Sequence, residues 1–252
     1  MKKKVILKSS ILAVAAGLSV FAINSVFADE LPVQFMGVND FHGALEQTGT
    51  ARLEGETVKN AGTAPLLATY LNDSQKDFET ENAGTPNASI RVQAGDMVGA
   101  SPANSALLQD EPTVKVFNEM NFEYGTLGNH EFDEGLGEFN RIMKGEAPTP
   151  GQFNKIVDEY PHEASKQEVV IANLVDKDTN KIPFDWKPYT IKEIPVNDKT
   201  VKVGFIGVVT TEFPNLVLRK NHEQYRVLDE AESIAKYARE LNDQGVHAIA
   251  VL

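Results

Sequence analysis

Residues 126–135 read Thr-Leu-Gly-Asn-His-Glu-Phe-Asp-Glu-Gly, TLGNHEFDEG, and they continue a short apolar run from Tyr124 to Leu127. The run reads as a strand, and Gly128-Asn129-His130-Glu131 as a polar cluster at its C-terminal end. Two earlier segments have the same form. Leu31 to Val38 (LPVQFMGV) is a buried-type run that closes on Asn39-Asp40-Phe41-His42-Gly43, and Ser89 to Ala94 (SIRVQA) stops at Gly95-Asp96. Ligands of α/β proteins sit outside the carboxyl ends of the strands. Asp40 and His42, two apart on a segment taken as extended, would present their side chains to the same side.

Taken singly, these clusters have plain readings: a solvated turn for Asp40 and His42, a cap or turn residue for Asp96. Three in succession, each at a strand end, point to a joint site. Imidazole, carboxylate and amide oxygen donors without any thiol suit hard to borderline divalent ions, two of them about 3.5–4 Å apart with one carboxylate shared. The chain has no cysteine, so disulfides and thiolate sites are excluded.

Around these clusters the spacing predicts helices over 64–76, 101–109, 111–120 and 229–243, the last with Asp229 as its cap. Further strands are expected over 168–174, 201–209 and 248–252, an exposed polar loop over 77–87, and a Pro-rich surface insertion over 144–166. Alternating strands and helices define an α/β domain. His162, His222 and His247 fall in polar surroundings and read as ordinary surface residues.

The motifs NDFHG at 39–43, AGDMVGASP at 94–102 and TLGNHEFDEG at 126–135 together resemble the calcineurin-like metallophosphoesterases, and among them the secreted bacterial 5′-nucleotidase branch. The likeness runs from Leu31 to Leu252. It implies a four-layer αββα sandwich, incomplete at the C-terminus, and two divalent ions, whether manganese, zinc, magnesium or calcium. By the same resemblance Asp40 and His42 would bind the first ion, Asp96 would bridge, and Asn129 would bind the second. His130 would face the phosphate as the catalytic group, oriented by Asp133. Glu131 and Glu134 are neighbouring carboxylates of the same type, and an acidic helix start reads alike. The implied reaction is hydrolysis of a nucleotide to nucleoside and phosphate; the alternatives are a 2′,3′-cyclic-nucleotide phosphodiesterase, a UDP-sugar hydrolase, or an exported binding module that has lost the chemistry.

The family carries a further His and a Gly-His-x-His pair that complete both metals, and a C-terminal domain that selects the substrate. Neither occurs in these 252 residues, which end in the strand-like AIAVL. The expectation is a truncated catalytic domain over residues 29–252, weakly active or inactive alone, with most substrate-binding residues elsewhere.

Lys2, Lys3, Lys4 and Lys8 precede an apolar run from Ile11 to Ile23, and Val26-Phe27-Ala28 precedes Asp29. This is the order of a secretory signal peptide over residues 1–28, cleaved after Ala28, with no later run of membrane-spanning length. A secreted or surface location follows, with cell-wall attachment open to a longer chain. Cleavage removes four of 24 basic groups and none of 36 acidic ones, leaving a net charge of −16. So acidic a surface opposes binding of nucleic-acid polymers. The expected partner is a nucleotide or another small phosphate ester.

Overall fold

The computed structural model describes residues 31–252. The expected signal peptide and its cleavage point lie outside them. In chain order the elements are β1 (Val33–Val38), β2 (Gly49–Leu53), β3 (Glu56–Ala61), α1 (Ala64–Glu81), β4 (Ala88–Gln93), α2 (Ala103–Ala106), α3 (Glu111–Glu119), β5 (Tyr124–Gly125), α4 (Leu136–Lys144) and α5 (Lys155–Asp158). There follow β6 (Glu168–Val169), β7 (Leu174–Asp176), β8 (Tyr189–Val196), β9 (Lys199–Ile206), α6 (Arg219–His222), β10 (Tyr225–Val227), α7 (Glu230–Asp243) and β11 (Ala248–Val251).

β1, β4, β5 and β6 are neighbours in one parallel sheet, so the three polar clusters emerge side by side. A second sheet has the order β11-β9-β8, with β9 parallel to β11 and antiparallel to β8. Strand alternation sorts each sheet into an inner and an outer face. Ile90, Val92 and Tyr124 of the first sheet meet Ile194, Val196, Val203 and Phe205 of the second. Tyr124 stacks on Phe205 with centroids 4.5 Å apart. Burial there, with the nearby Glu123 and Glu168 charges, pushes the Tyr124 hydroxyl up to about 12.

The outer faces take the helices. Leu71 of α1, Val114 and Phe117 of α3, and Phe139 and Ile142 of α4 pack in one cluster with Met36 of β1. Leu241 and Tyr237 of α7 cover Ile191, Ile206 and Ile249. Helix, sheet, sheet, helix is the expected αββα layering. Gly204 lets α7 approach, since a Cβ there would stand 2.8 Å from Leu241 Cδ1. Each fully buried side chain of these clusters is worth about 1.5–3 kcal/mol. Among the described residues no helix is long and apolar enough to cross a membrane.

Several sequence expectations are corrected. Helix α1 continues to Glu81, because nothing between Asp77 and Glu81 breaks it; Asn82 terminates it and Gly84 has positive φ. The helix expected over 101–109 is the single turn α2. The strand expected over 168–174 divides: Val169 ends β6, Val170 bridges to Lys187, and β7 pairs with β10 in a separate two-stranded ribbon. The insertion at 144–166 is anchored, with Val157 fully buried. His162 is not a surface residue: its side chain is 13% exposed and its Nδ1 lies 2.6 Å from Glu111 Oε2. Glu111 in turn pairs with Arg141, which also holds Glu138.

Candidate metal centre

The loops after β1 and β4 run on as partners past the strands. Asp40 N–H donates to Gly95 O, His42 N–H to Asp96 O, and Gly43 N–H to Met97 O. Asp40 and His42 are not on an extended segment. Their φ values are 53° and 49°, left-handed backbone on both sides of the buried Phe41. The two side chains still converge, with His42 Nε2 3.8 Å from Asp40 Oδ1. His42 Nδ1 donates to Gly99 O at 2.9 Å, which fixes the neutral ring as the Nδ1–H form and leaves the Nε2 lone pair for a ligand.

Asp96 joins the second and third clusters. Its Oδ1 accepts the His130 backbone N–H at 2.9 Å, and its φ is 55°. Gly95 and Gly128 allow this contact. A Cβ on Gly128 would stand 2.1 Å from Asp96 Oδ1, and one on Gly95, whose φ is 94°, 2.6 Å from Gly128 N. Gln93 ties the same loops from below, donating to Thr126 O and accepting from Gly95 N–H.

In the third cluster the competing carboxylates separate. Asp133 Oδ2 accepts from His130 Nδ1 at 2.8 Å and from Ala100 N–H at 3.2 Å. Glu131 turns inward, 2% exposed, and takes three backbone N–H groups: Asp96 at 3.0 Å, Met97 at 2.8 Å and Gly128 at 2.6 Å. Burial pushes its carboxyl up to about 7, against the pull of those donors. Glu134 is exposed. Burial disfavours the His130 cation, but the hydrogen bond and charge of Asp133, with Asp96 and Glu131, outweigh it and raise its pKa. With Nδ1 engaged, Nε2 is the nitrogen that remains for chemistry.

His42, Asp96 and His130 each offer a ligand atom within 4.8 Å of the others. The two rings meet edge to face with centroids 4.7 Å apart. Asn129 enters the turn directly before His130 and is partly buried. Nitrogen and oxygen donors at this spacing fit a divalent ion. Sequence reasoning passed over Glu131 as a structural residue and over the Gly99–Ala100 segment. The signal for Glu131 was its place among backbone amides at a strand end, where a carboxylate is the natural acceptor.

No family model matches the chain. It is 54% identical over 226 residues to the cell wall protein Lmo0130 of Listeria monocytogenes, covering 89% of this chain and 28% of that protein. It is 37% identical to the endonuclease YhcR of Bacillus subtilis (89% and 17%), and 29% identical to a 2′,3′-cyclic-nucleotide 2′-phosphodiesterase/3′-nucleotidase of Salmonella typhimurium (65% and 24%). The chain thus spans less than a third of the length of these relatives. Among solved structures, the NAD nucleotidase of Haemophilus influenzae superposes with a TM-score of 0.62 at 23% identity, over 86% of this chain and 33% of that one. The calcineurin-like phosphoesterase YfkN of Bacillus subtilis gives 0.59 at 23%, over 86% and 60%. The chain is thus similar in sequence to relatives named as nucleotidases and cyclic-nucleotide phosphodiesterases, and its αββα frame, with clusters at three adjacent strand ends, is similar in fold to 5′-nucleotidases and a calcineurin-like phosphoesterase.

Proposed function

We propose that the strand-end cluster belongs to a metal-dependent centre that hydrolyses nucleotide phosphate monoesters. The observation that carries this reading is the convergence of His42, Asp96 and His130 within 4.8 Å, with His130 already oriented by Asp133. In this reading Asp40, His42, Asp96 and Asn129 hold the divalent ions, and His130 and Asp133 face the phosphate. Bound ions would supply charge neutralisation at the phosphate and a more acidic attacking water.

The chain's own residues do the rest. Gly99 O keeps His42 in the tautomer whose Nε2 can ligate. Asp133 keeps His130 Nδ1 protonated, so Nε2 can present a proton to the leaving oxygen when the ring is charged. The Asp133 hydrogen bond and the surrounding carboxylate charges, which raise the His130 pKa, favour that charged form. Glu131, gathering three backbone amides, holds the loops that carry Asp96 and Gly128 at one separation. Secretion and a cell-surface location are part of the same proposal, supported by the residues 1–28 pattern and by a relative named as a cell wall protein.

The endonuclease relative suggests phosphodiester cleavage, but the net charge of −16 expected after residue 28 opposes a polyanion. Phosphate release from AMP, ring opening of 2′,3′-cyclic AMP to a nucleoside monophosphate, and strand cleavage of a single-stranded oligonucleotide, each with added Mn²⁺ or Zn²⁺, separate the readings. The proposal expects release from AMP by the protein that carries this segment, abolished by Asn129→Ala. Cleavage of the oligonucleotide alone, or release that ignores Asn129→Ala, overturns it.

A further inference from the structure

Asp110 is the N-cap residue of α3, yet its side chain makes no capping hydrogen bond. Asp is among the best capping residues, so the local sequence preference is set aside here. Gln109 and Asp110 have φ values of 53° and 59°, two successive non-glycine residues in left-handed backbone. That conformation costs about 1–2 kcal/mol per residue. Strain of this kind gathers at functional sites.

The Asp110 side chain turns away from its helix to the loop that follows Asp96. Its Oδ2 accepts the Gly99 N–H at 3.0 Å. Its Oδ1 is buried without a protein partner, beside a cavity of about 120 Å³ lined also by Gly99, His130 and Asp133. A 9% exposed carboxylate held by one N–H is an expensive group to keep.

What it holds is the point where both histidines are oriented. Gly99 O accepts from His42 Nδ1, and the next residue's N–H, Ala100, donates to the same Asp133 oxygen that accepts from His130 Nδ1. Gly99 itself has φ of 77°, and a Cβ there would stand 2.6 Å from His130 O. A shift of this peptide moves the acceptor of one ring and the partner of the other together.

We propose that Asp110 is a positioning residue for the centre, acting through the Gly99–Ala100 segment to fix the Nδ1–H form of His42. It rests on the metal-centre reading but is read out without it. In the metal-free chain, ¹⁵N spectra of the neutral His42 ring should show the Nδ1–H tautomer for the wild type and a mixture for Asp110→Ala. Mn²⁺ affinity should fall about 10–100-fold in that variant, as for other groups that orient a ligand. Asp110→Asn keeps an acceptor for Gly99 N–H and should restore both the tautomer and the affinity. An Asp110→Ala protein that is less stable but keeps the wild-type tautomer and affinity overturns the proposal. Should the alanine variant fail to fold, Asp110→Asn decides: a mixed His42 tautomer there overturns it equally. The tautomer needs neither metal nor substrate, so missing phosphate release would count against the proposed activity and not against Asp110.

Discussion

The side chain that most shapes the proposed chemistry is Asp133, because one of its oxygens serves both His130 Nδ1 and Ala100 N–H. Changing Asp133 to Asn removes the charge that raises the His130 pKa. In steady-state assays with AMP we expect kcat to fall about 10–100-fold with little change in KM. Stability gives a second reading. A His whose folded pKa lies above its unfolded value stabilises the fold fully below that unfolded value, near 6.5, and the benefit fades as pH rises through the folded pKa. Urea unfolding of metal-free protein should therefore show Asp133→Asn weaker than wild type at pH 5.5 and nearer to it at pH 8.5. An equal gap at both pH values would show that the Asp133 charge does not act through His130.

At the scale of elements, the site depends on how closely the loops after β4 and β5 approach. Gly128→Ala places a Cβ where Asp96 Oδ1 stands, and should destabilise by about 1–3 kcal/mol and displace Asp96. Gly137→Ala, in the exposed first turns of α4 with no atom within 4 Å of the added Cβ, should instead stabilise by about 0.5–1 kcal/mol. Denaturant midpoints of the two variants should move in opposite directions; a shared direction would contradict the packing argument. Away from the site, Arg141 joins α3 and α4 through buried Glu111 and part-buried Glu138. Arg141→Leu leaves Glu138 without its cation and Glu111 with His162 alone, and should cost about 3–5 kcal/mol in the same assay.

These elements also show what was readable in advance. Strands β1, β4 and β5 of the first sheet were legible because each ends on a polar cluster, and Asp229 does cap α7 by accepting the Glu232 N–H. The β2–β3 hairpin carries no apolar alternation, because its strands are polar and mostly exposed; its local mark is the two-residue Glu54-Gly55 turn, both residues at positive φ. The β8–β9 hairpin turns at Asn197-Asp198, a stronger signal that was passed over, and Pro195 fits because β8 is an edge strand. His162 could not be placed from sequence, since its partner Glu111 lies 51 residues away.

For the whole molecule, the candidate centre was legible as residue types and order but not as geometry. Asp40, His42, Asp96, Asn129 and His130 were identified from strand-end position and resemblance. The left-handed backbone at Asp40, His42 and Asp96, and the amide-gathering role of Glu131, arise from long-range loop contacts that no local pattern encodes. In the proposed reading, cations bound at the carboxyl end of the first sheet offset the carboxylates that this acidic chain places there, which joins composition, fold and site. Electron paramagnetic resonance of Mn²⁺ titrated into the metal-free chain tests that claim most directly. The account predicts that wild-type protein depletes the free Mn²⁺ signal, that Asp96→Asn abolishes the depletion, and that Glu134→Gln leaves it intact. Depletion unchanged by Asp96→Asn would contradict it.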